Sequence, residues 1–450
     1  ADELVKLAER AQNLDRTYRP PNFLTYFIVE CPPVGKPEAL IEALSGWQTV
    51  ENVYFDPPGD EPFVAAGDDP RWGNQGYLDP APDGIDAEYA WTFLGGDGAG
   101  QNVIDLERGW TLNHEDLVAK GGALLHGAIR DGSRAHGTSV LGELCAVDNA
   151  LGCVGIAPNV NSVNAVSYWT SNRPDAIMAA IANLSFGDVL LLEAQLPVAG
   201  LPPIETLDAE FEAIRLATAL GIVVVEAAGN GSTDLDNFTN AAGKFILNRG
   251  HADFRDSGAI MVGAAGSTAP HQRIAMPAWS WGTNYGSRID CYAWGENVDT
   301  CHSNSGGATD LYRSTFNGTS SASPIVTGAA LIVQGLAEAN LGYRFNPFQL
   351  RALLSNPATG TPSANPPADK IGVMPDLRAI INSKLCVTPD IYMRDFVGDN
   401  GDPHAGSISA SPDIILRRTA VADPQASFGE GSGTENSNTL GARAEAGQNN

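Results

Sequence analysis

Through the middle of the chain, short continuous apolar runs alternate with longer segments of helical spacing. Residues 102–104, 160–166, 189–192, 222–225 and 259–263 read as strands. Residues 136–147, 176–184, 207–220 and 321–337 read as helices. Strands that are apolar along their whole length have both faces buried, and regular alternation with helices is how a parallel sheet acquires its two covering layers. The expected fold class is therefore a three-layer α/β/α architecture with a mostly parallel sheet. Ahead of it, Phe23–Val29 and Val50–Phe55 read as strands flanking a short helix at Pro37–Leu44. This predicts a small α+β head over residues 1–60. A breaker-rich linker (61–71) leads into the central unit, residues 72–355. Behind it, a Pro/Ala/Thr-rich stretch (356–384) reads as a second linker. Residues 385–419 carry a short strand-like repeat, in which Pro389–Arg394 echoes Pro412–Arg417. A Gly/Ser/Asn-rich tail (420–450) is expected to be disordered.

Charge and cysteine usage narrow the function classes. Acids outnumber bases 53 to 27 in the 450 residues, for a formal net charge of −26. Phosphate affinity needs clustered Lys and Arg, so nucleic acid and anionic membrane surfaces are excluded as expected partners. No uninterrupted apolar run approaches the eighteen or so residues of a membrane span. Six cysteines include two close pairs, Cys145/Cys153 and Cys291/Cys301, while Cys31 and Cys386 stand apart. No CxxC occurs, which leaves zinc and thioredoxin chemistry without support. Two short-range disulfides, or six reduced buried thiols, both fit the spacing.

The motifs point to acyl transfer. Gly318-Thr319-Ser320-Ser321-Ala322-Ser323-Pro324 opens the longest apolar helix. Small residues there allow close packing, and the helix N-terminus favours an oxyanion beside Ser320. A nucleophilic Ser needs a base, and the base needs an orienting acid. His136, in Ala135-His136-Gly137-Thr138, stands at a predicted helix start. Asp105 closes the strand-like Asn102-Val103-Ile104. Carboxyl ends of parallel strands are where such sheets place their sites. The order Asp, His, Ser is one of the three orders in which this triad occurs.

With these residues the chain resembles the subtilases, the subtilisin-like serine peptidases. The likeness rests on Val103-Ile104-Asp105 with His114-Glu115-Asp116-Leu117, and on His136-Gly137-Thr138. It rests also on Gly155-Ile156-Ala157-Pro158, Ala227-Ala228-Gly229-Asn230 and Gly318–Pro324. The resemblance implies a subtilisin-like fold and a secreted serine endopeptidase acting on proteins or peptides. It implies Asp105, His136 and Ser320 as the triad, and Asn230 as the side-chain oxyanion donor. Ser185, Phe186 and Gly187 would form the edge that pairs with the substrate, and Ala227, Ala228 and Gly229 the opposite wall of the first specificity pocket. The head would be an inhibitory pro-region, released by cleavage within residues 56–69, and the enzyme a monomer. No cofactor is required for the chemistry, but a structural calcium ion fits the family. Asp234, Asp236 and Asn237, or Asp399, Asn400 and Asp402, could supply oxygen ligands. Two other readings use the same residues: a peptide ligase or macrocyclase, and a latent binding protein whose site stays blocked. The glycine-rich run Gly95–Gly100 precedes a strand instead of following one, so it reads as a turn and not as a dinucleotide loop.

Overall fold

The computed structural model describes residues 37–47, 50, 53, 64–385, 414–416 and 440–442. Two compact units divide the chain: residues 60–386, and a second unit of residues 1–59 with 387–450.

The larger unit is built on a nine-stranded sheet. Its strands are β1 (Asn102–Glu107), β2 (Leu124–His126), β3 (Ser162–Ser167), β4 (Val189–Leu192), β5 (Val223–Ala227), β6 (Ile260–Ala265) and β7 (Cys291–Trp294). A polar hairpin, β8 (Val298–His302) with β9 (Leu311–Phe316), stands outside this sheet. β10 (Gly360–Pro362) and β11 (Val373–Pro375) complete it, in the order β10-β11-β7-β6-β5-β4-β1-β3-β2. Every pairing in it is parallel except that of β10 with β11. β4 and β5 are buried along their whole length, as strands covered on both faces must be.

Two apolar layers flank the sheet. One includes Val103, Val189, Leu191, Val223 and Val225 with helices α1 (Arg134–Cys145) and α4 (Thr319–Leu341). The other includes Ile104, Leu106, Leu190, Leu192 and Val224 with helices α2 (Arg173–Ile181) and α3 (Asp208–Ala219). The alternation along β1 and β4 is the period-two geometry of a strand. The three-layer α/β/α expectation is borne out. Helix α4 has 23 residues and is apolar enough by length and composition to cross a membrane, but 94% of its apolar window is buried inside the unit, so it is the central core helix.

The boundaries differ from the sequence reading. Residues 356–384 are not a linker. β11 joins the sheet at Cys291 of β7, and Leu377, Ile380 and Ile381 are buried in the first apolar layer. Val64, Ala66 and Asp69 are buried as well, so the unit begins before residue 72. The expected cysteine pairs are not formed. Cys145, the last residue of α1, turns its thiol back to the Leu141 carbonyl, 3.2 Å away. Cys291 lies within the main sheet and Cys301 in the separate hairpin, whereas the Cys153 and Cys301 sulfurs face each other at 3.5 Å as free thiols.

In the second unit, Pro37–Ser45 is helical, as expected. Ile414–Leu416 pairs antiparallel with Leu440–Ala442, so a strand stands within the tail expected to be disordered. The strand expected at Phe23–Val29, nearly all of that at Val50–Phe55, the cleavage segment before residue 64, Cys31, Cys386, Pro389–Arg394 and the Asp399, Asn400 and Asp402 cluster lie outside the described residues.

Candidate active site

Parallel strands end at one edge of the sheet, and His136, Asn230 and the start of α4 lie there. β1 ends at Glu107, β4 leads into Glu193-Ala194-Gln195, and β5 ends at Ala227 just before Ala228-Gly229-Asn230. His136 is the third residue of α1, and Ser320 the second residue of α4.

His136 meets an acid, but not the expected one. Its Nδ1 lies 2.9 Å from Glu107 Oε1. Asp105 is two residues earlier on the same face of β1, fully buried, and its Oδ2 accepts a 2.7 Å bond from the Trp110 indole. Its other oxygen has no partner among the described residues. The physical reason is the length of the strand. β1 runs on to Glu107, so the carboxyl end that faces α1 belongs to Glu107, and Asp105 is left a full strand repeat deeper.

Neighbouring packing fixes this geometry. A Cβ on Gly137 would stand 2.6 Å from both the Trp110 indole nitrogen and the Gly109 carbonyl, so only glycine lets α1 approach Trp110 this closely. Arg134, at the start of α1, donates to the Trp110 carbonyl at 2.8 Å. Phe316 presents an edge to the imidazole, with ring centroids 5.5 Å apart.

Electrostatics at this cluster are dominated by desolvation. Burial pushes the Glu107 carboxyl well above its ordinary value, with Arg108 opposing weakly. Burial, reinforced by Glu107, does the same to Asp105. Burial pushes His136 down, while Glu193 and Asp105 pull it back up. Since 41% of the His136 side chain is open to water, its downward push is smaller than for a sealed imidazole.

Asn230 is held from two sides. Its backbone N–H donates to the Gln195 side-chain oxygen at 2.9 Å, and its own Oδ1 accepts from the Thr319 N–H at 2.9 Å. The second contact locks the amide against the first turn of α4, and its NH2 group donates to the Gln195 side-chain oxygen at 3.4 Å. Behind it, fully buried Asn284 bonds the carbonyls of Ala228 and Leu201 and the N–H groups of Gly231 and Thr233, all within 3.1 Å. Gly229 and Gly318 take φ values of +93° and +104°, which side chains of other residues rarely adopt. Ala227, Ala228 and Gly229 are thus at the site edge, buried under this bracing.

Ser185, Phe186 and Gly187 are not. They precede β4, and Gly187 bonds the Gly221 carbonyl just before β5 and lies against Arg344, beyond the far end of α4. The sheet is parallel, so this is its opposite edge. The segment that enters the site is the one after β4, around Gln195. Sequence reading also missed Glu107, Trp110, Glu193 and Asn284. Glu107 carried a usable signal, since it shares a strand face with Asp105 and lies nearer the loop.

Among the described residues, three groups of side chains bring donor atoms within 4.8 Å of one another: Glu107/His136/Glu193, His114/Asp116/Cys301 and Asp68/Asp69/Asp148. The last is an all-carboxylate set of the kind hard cations prefer. Both Asp69 oxygens are buried without a hydrogen-bond partner among the described residues, and burial pushes this carboxyl up to about 7. Asp234 and Asp236, by contrast, spend their oxygens on the Asp236 N–H, Asn237, Ser287 and Lys370.

Known proteins share this chain's fold and parts of its sequence. A model of the subtilase family (peptidase S8) matches residues 113–373, a span that holds His136, Asn230 and Ser320 and begins after Glu107. The alkaline protease of Alkalihalobacillus alcalophilus is 30% identical over 272 residues, 60% of this chain and 61% of its own length. The chain thus spans about three fifths of that relative. Subtilisin BL of Lederbergia lenta is 29% identical over 60% of this chain and 87% of its own. Among solved structures, a protease from Pseudoalteromonas arctica shares the fold, with a TM-score of 0.51 and 21% identity over 70% of this chain and 98% of that one. With the family match covering more than half of its length, on a three-layer fold of the same kind, the chain belongs to the subtilase family.

Proposed function

We propose that this chain is a secreted serine endopeptidase. Ser320 attacks the scissile carbonyl, and His136 takes its proton and later returns it to the leaving amine. Glu107, not Asp105, accepts the Nδ1–H bond. It holds the tautomer whose Nε2 is free to act as base, and it stabilises the imidazolium as that forms. The Asn230 amide and the Ser320 N–H stabilise the oxyanion, each such donor contributing about 3 kcal/mol in related enzymes; that magnitude was established on subtilisin itself. An extended substrate lies between Ala227–Gly229 and the segment bearing Gln195, hydrogen-bonding as an added strand.

The observation that carries the reading is the 2.9 Å contact of His136 with a buried carboxylate at the site edge of the sheet. A fluorophosphonate probe tests it: the full chain labels at Ser320, and Ser320→Ala abolishes both labelling and peptide hydrolysis. Labelling that survives Ser320→Ala sinks the assignment. Recovery of the active enzyme from culture supernatant checks the secreted location.

Asp68, Asp69 and Asp148 fit a calcium ion, on the evidence of the unpartnered Asp69 carboxylate. The ion would neutralise that carboxylate and brace the loop after α1, with no part in the chemistry. Chelation is expected to lower the melting temperature by several degrees, and Asp69→Asn to remove that sensitivity. A melting temperature indifferent to chelator excludes the site.

A further inference from the structure

Glu193 is a buried acid that the proposed reaction does not use. Its N–H donates to the Leu106 carbonyl at 3.1 Å, which carries the β1–β4 pairing one residue past Leu192. That register sets Glu193 beside Glu107 on the face that looks at α1. One donor atom each from Glu107, Glu193 and His136 lies within 4.8 Å of the others. Glu193 is 6% exposed, and its Oε2 has no partner among the described residues.

Its other oxygen decides the matter. Glu193 Oε1 is hydrogen-bonded to the Ser323 hydroxyl, one turn beyond Ser320 on α4. The same hydroxyl lies 2.7 Å from the Thr319 carbonyl. A hydroxyl has one proton, and a carbonyl can only accept. Two oxygens at hydrogen-bond distance with no proton between them repel. Both contacts hold when Ser323 gives its proton to Thr319 and Glu193 gives one to Ser323.

Charge balance favours the same state. The groups facing the cluster are Asp105, Glu107 and Arg108 from β1 and its following turn, His136 and Glu143 from α1, and Arg313 from β9. Glu107 already supplies one carboxylate to His136. A second ionised carboxylate within 4.8 Å would favour the protonated imidazole further and oppose its work as a base.

We propose that Glu193 is a positioning residue that works as a carboxylic acid. Its proton is held on Ser323, so it ties β4 to the first turns of α4 and leaves Glu107 as the carboxylate bonded to His136. This rests on the peptidase reading for its role, but not for its protonation state.

The test uses the full chain carrying Ser320→Ala, in which the His136 imidazole is titrated by NMR with and without Glu193→Gln. The neutral amide mimics the acid form, so the His136 midpoint is expected to move by less than about 0.2 pH unit. A fall of about 0.5 unit or more means that a charge was removed, and overturns the proposal. In the enzyme with Ser320 intact, Glu193→Ala is expected to lower kcat more than about tenfold with little change in KM, and Gln at this position to restore most of that loss. Equal activity of the Ala and wild-type enzymes overturns the positioning role. If the wild type cleaves no peptide, the titration still reads the state of Glu193, so the two proposals fail separately.

Discussion

At the scale of single residues, the acid that orients His136 is the sharpest departure from the family pattern. Asp105 and Glu107 share a strand face, and only depth separates them: one is bonded to Trp110 inside the core, the other to the imidazole at the edge. The two make different predictions. Glu107→Gln removes the carboxylate that selects the working tautomer, and loss of that charge in serine peptidases costs about 10⁴ in kcat. Asp105→Asn leaves the His136 contact in place and is expected to lower kcat less than about tenfold, acting through packing under Trp110. Steady-state kinetics on the two variants separates them. Comparable losses in both would return Asp105 to the catalytic role.

At the scale of elements, what the sequence made legible follows from how each segment is buried. β4 and β5, apolar on both faces, were readable to within two residues, whereas the core helix α4 begins two residues before the expected start and runs four residues past the expected end, to Leu341. The hairpin β8–β9 was not, because Leu311–Phe316 is largely exposed and mixes charged, hydroxyl and aromatic side chains without a clean alternation. β11 was mistaken for linker because three residues between prolines and glycines carry no periodicity; its place is set by pairing with Cys291, a contact from far away in the chain. The site divides in the same way. Ser320, His136 and Asn230 each stand in a short run of small residues at an element end, which is a local signal. The acid depended on where β1 stops, and the substrate edge on which end of β4 faces the site. Ending β1 at residue 104 selected Asp105, and the strand in fact continues to Glu107. Reading Ser185–Gly187 as the edge placed it before the strand when the site lies after it.

At the scale of the whole molecule, several of the acids behind the formal charge of −26 are buried in the fold. Burial pushes Asp105, Glu107, Glu143, Glu193 and Glu226 well above their ordinary values, which favours the neutral acid at each. The sign of the resulting pH dependence is fixed. An acid whose folded pKa is raised binds more protons in the folded than in the unfolded chain, so stability falls as pH rises above the unfolded value and levels off only past the folded one. Glu143 isolates the effect, since it is fully buried on α1, neither oxygen has a partner among the described residues, and desolvation leads its shift. Each pH unit in that window costs up to about 1.4 kcal/mol for one such group. Glu143→Gln has no proton to lose. Its melting temperature is therefore expected to match the wild type near pH 4 and to exceed it by a few degrees at alkaline pH, the gap widening as pH rises. Thermal unfolding of the two proteins across that range is the measurement. A gap that stays constant with pH would mean that Glu143 titrates alike in the folded and unfolded chains.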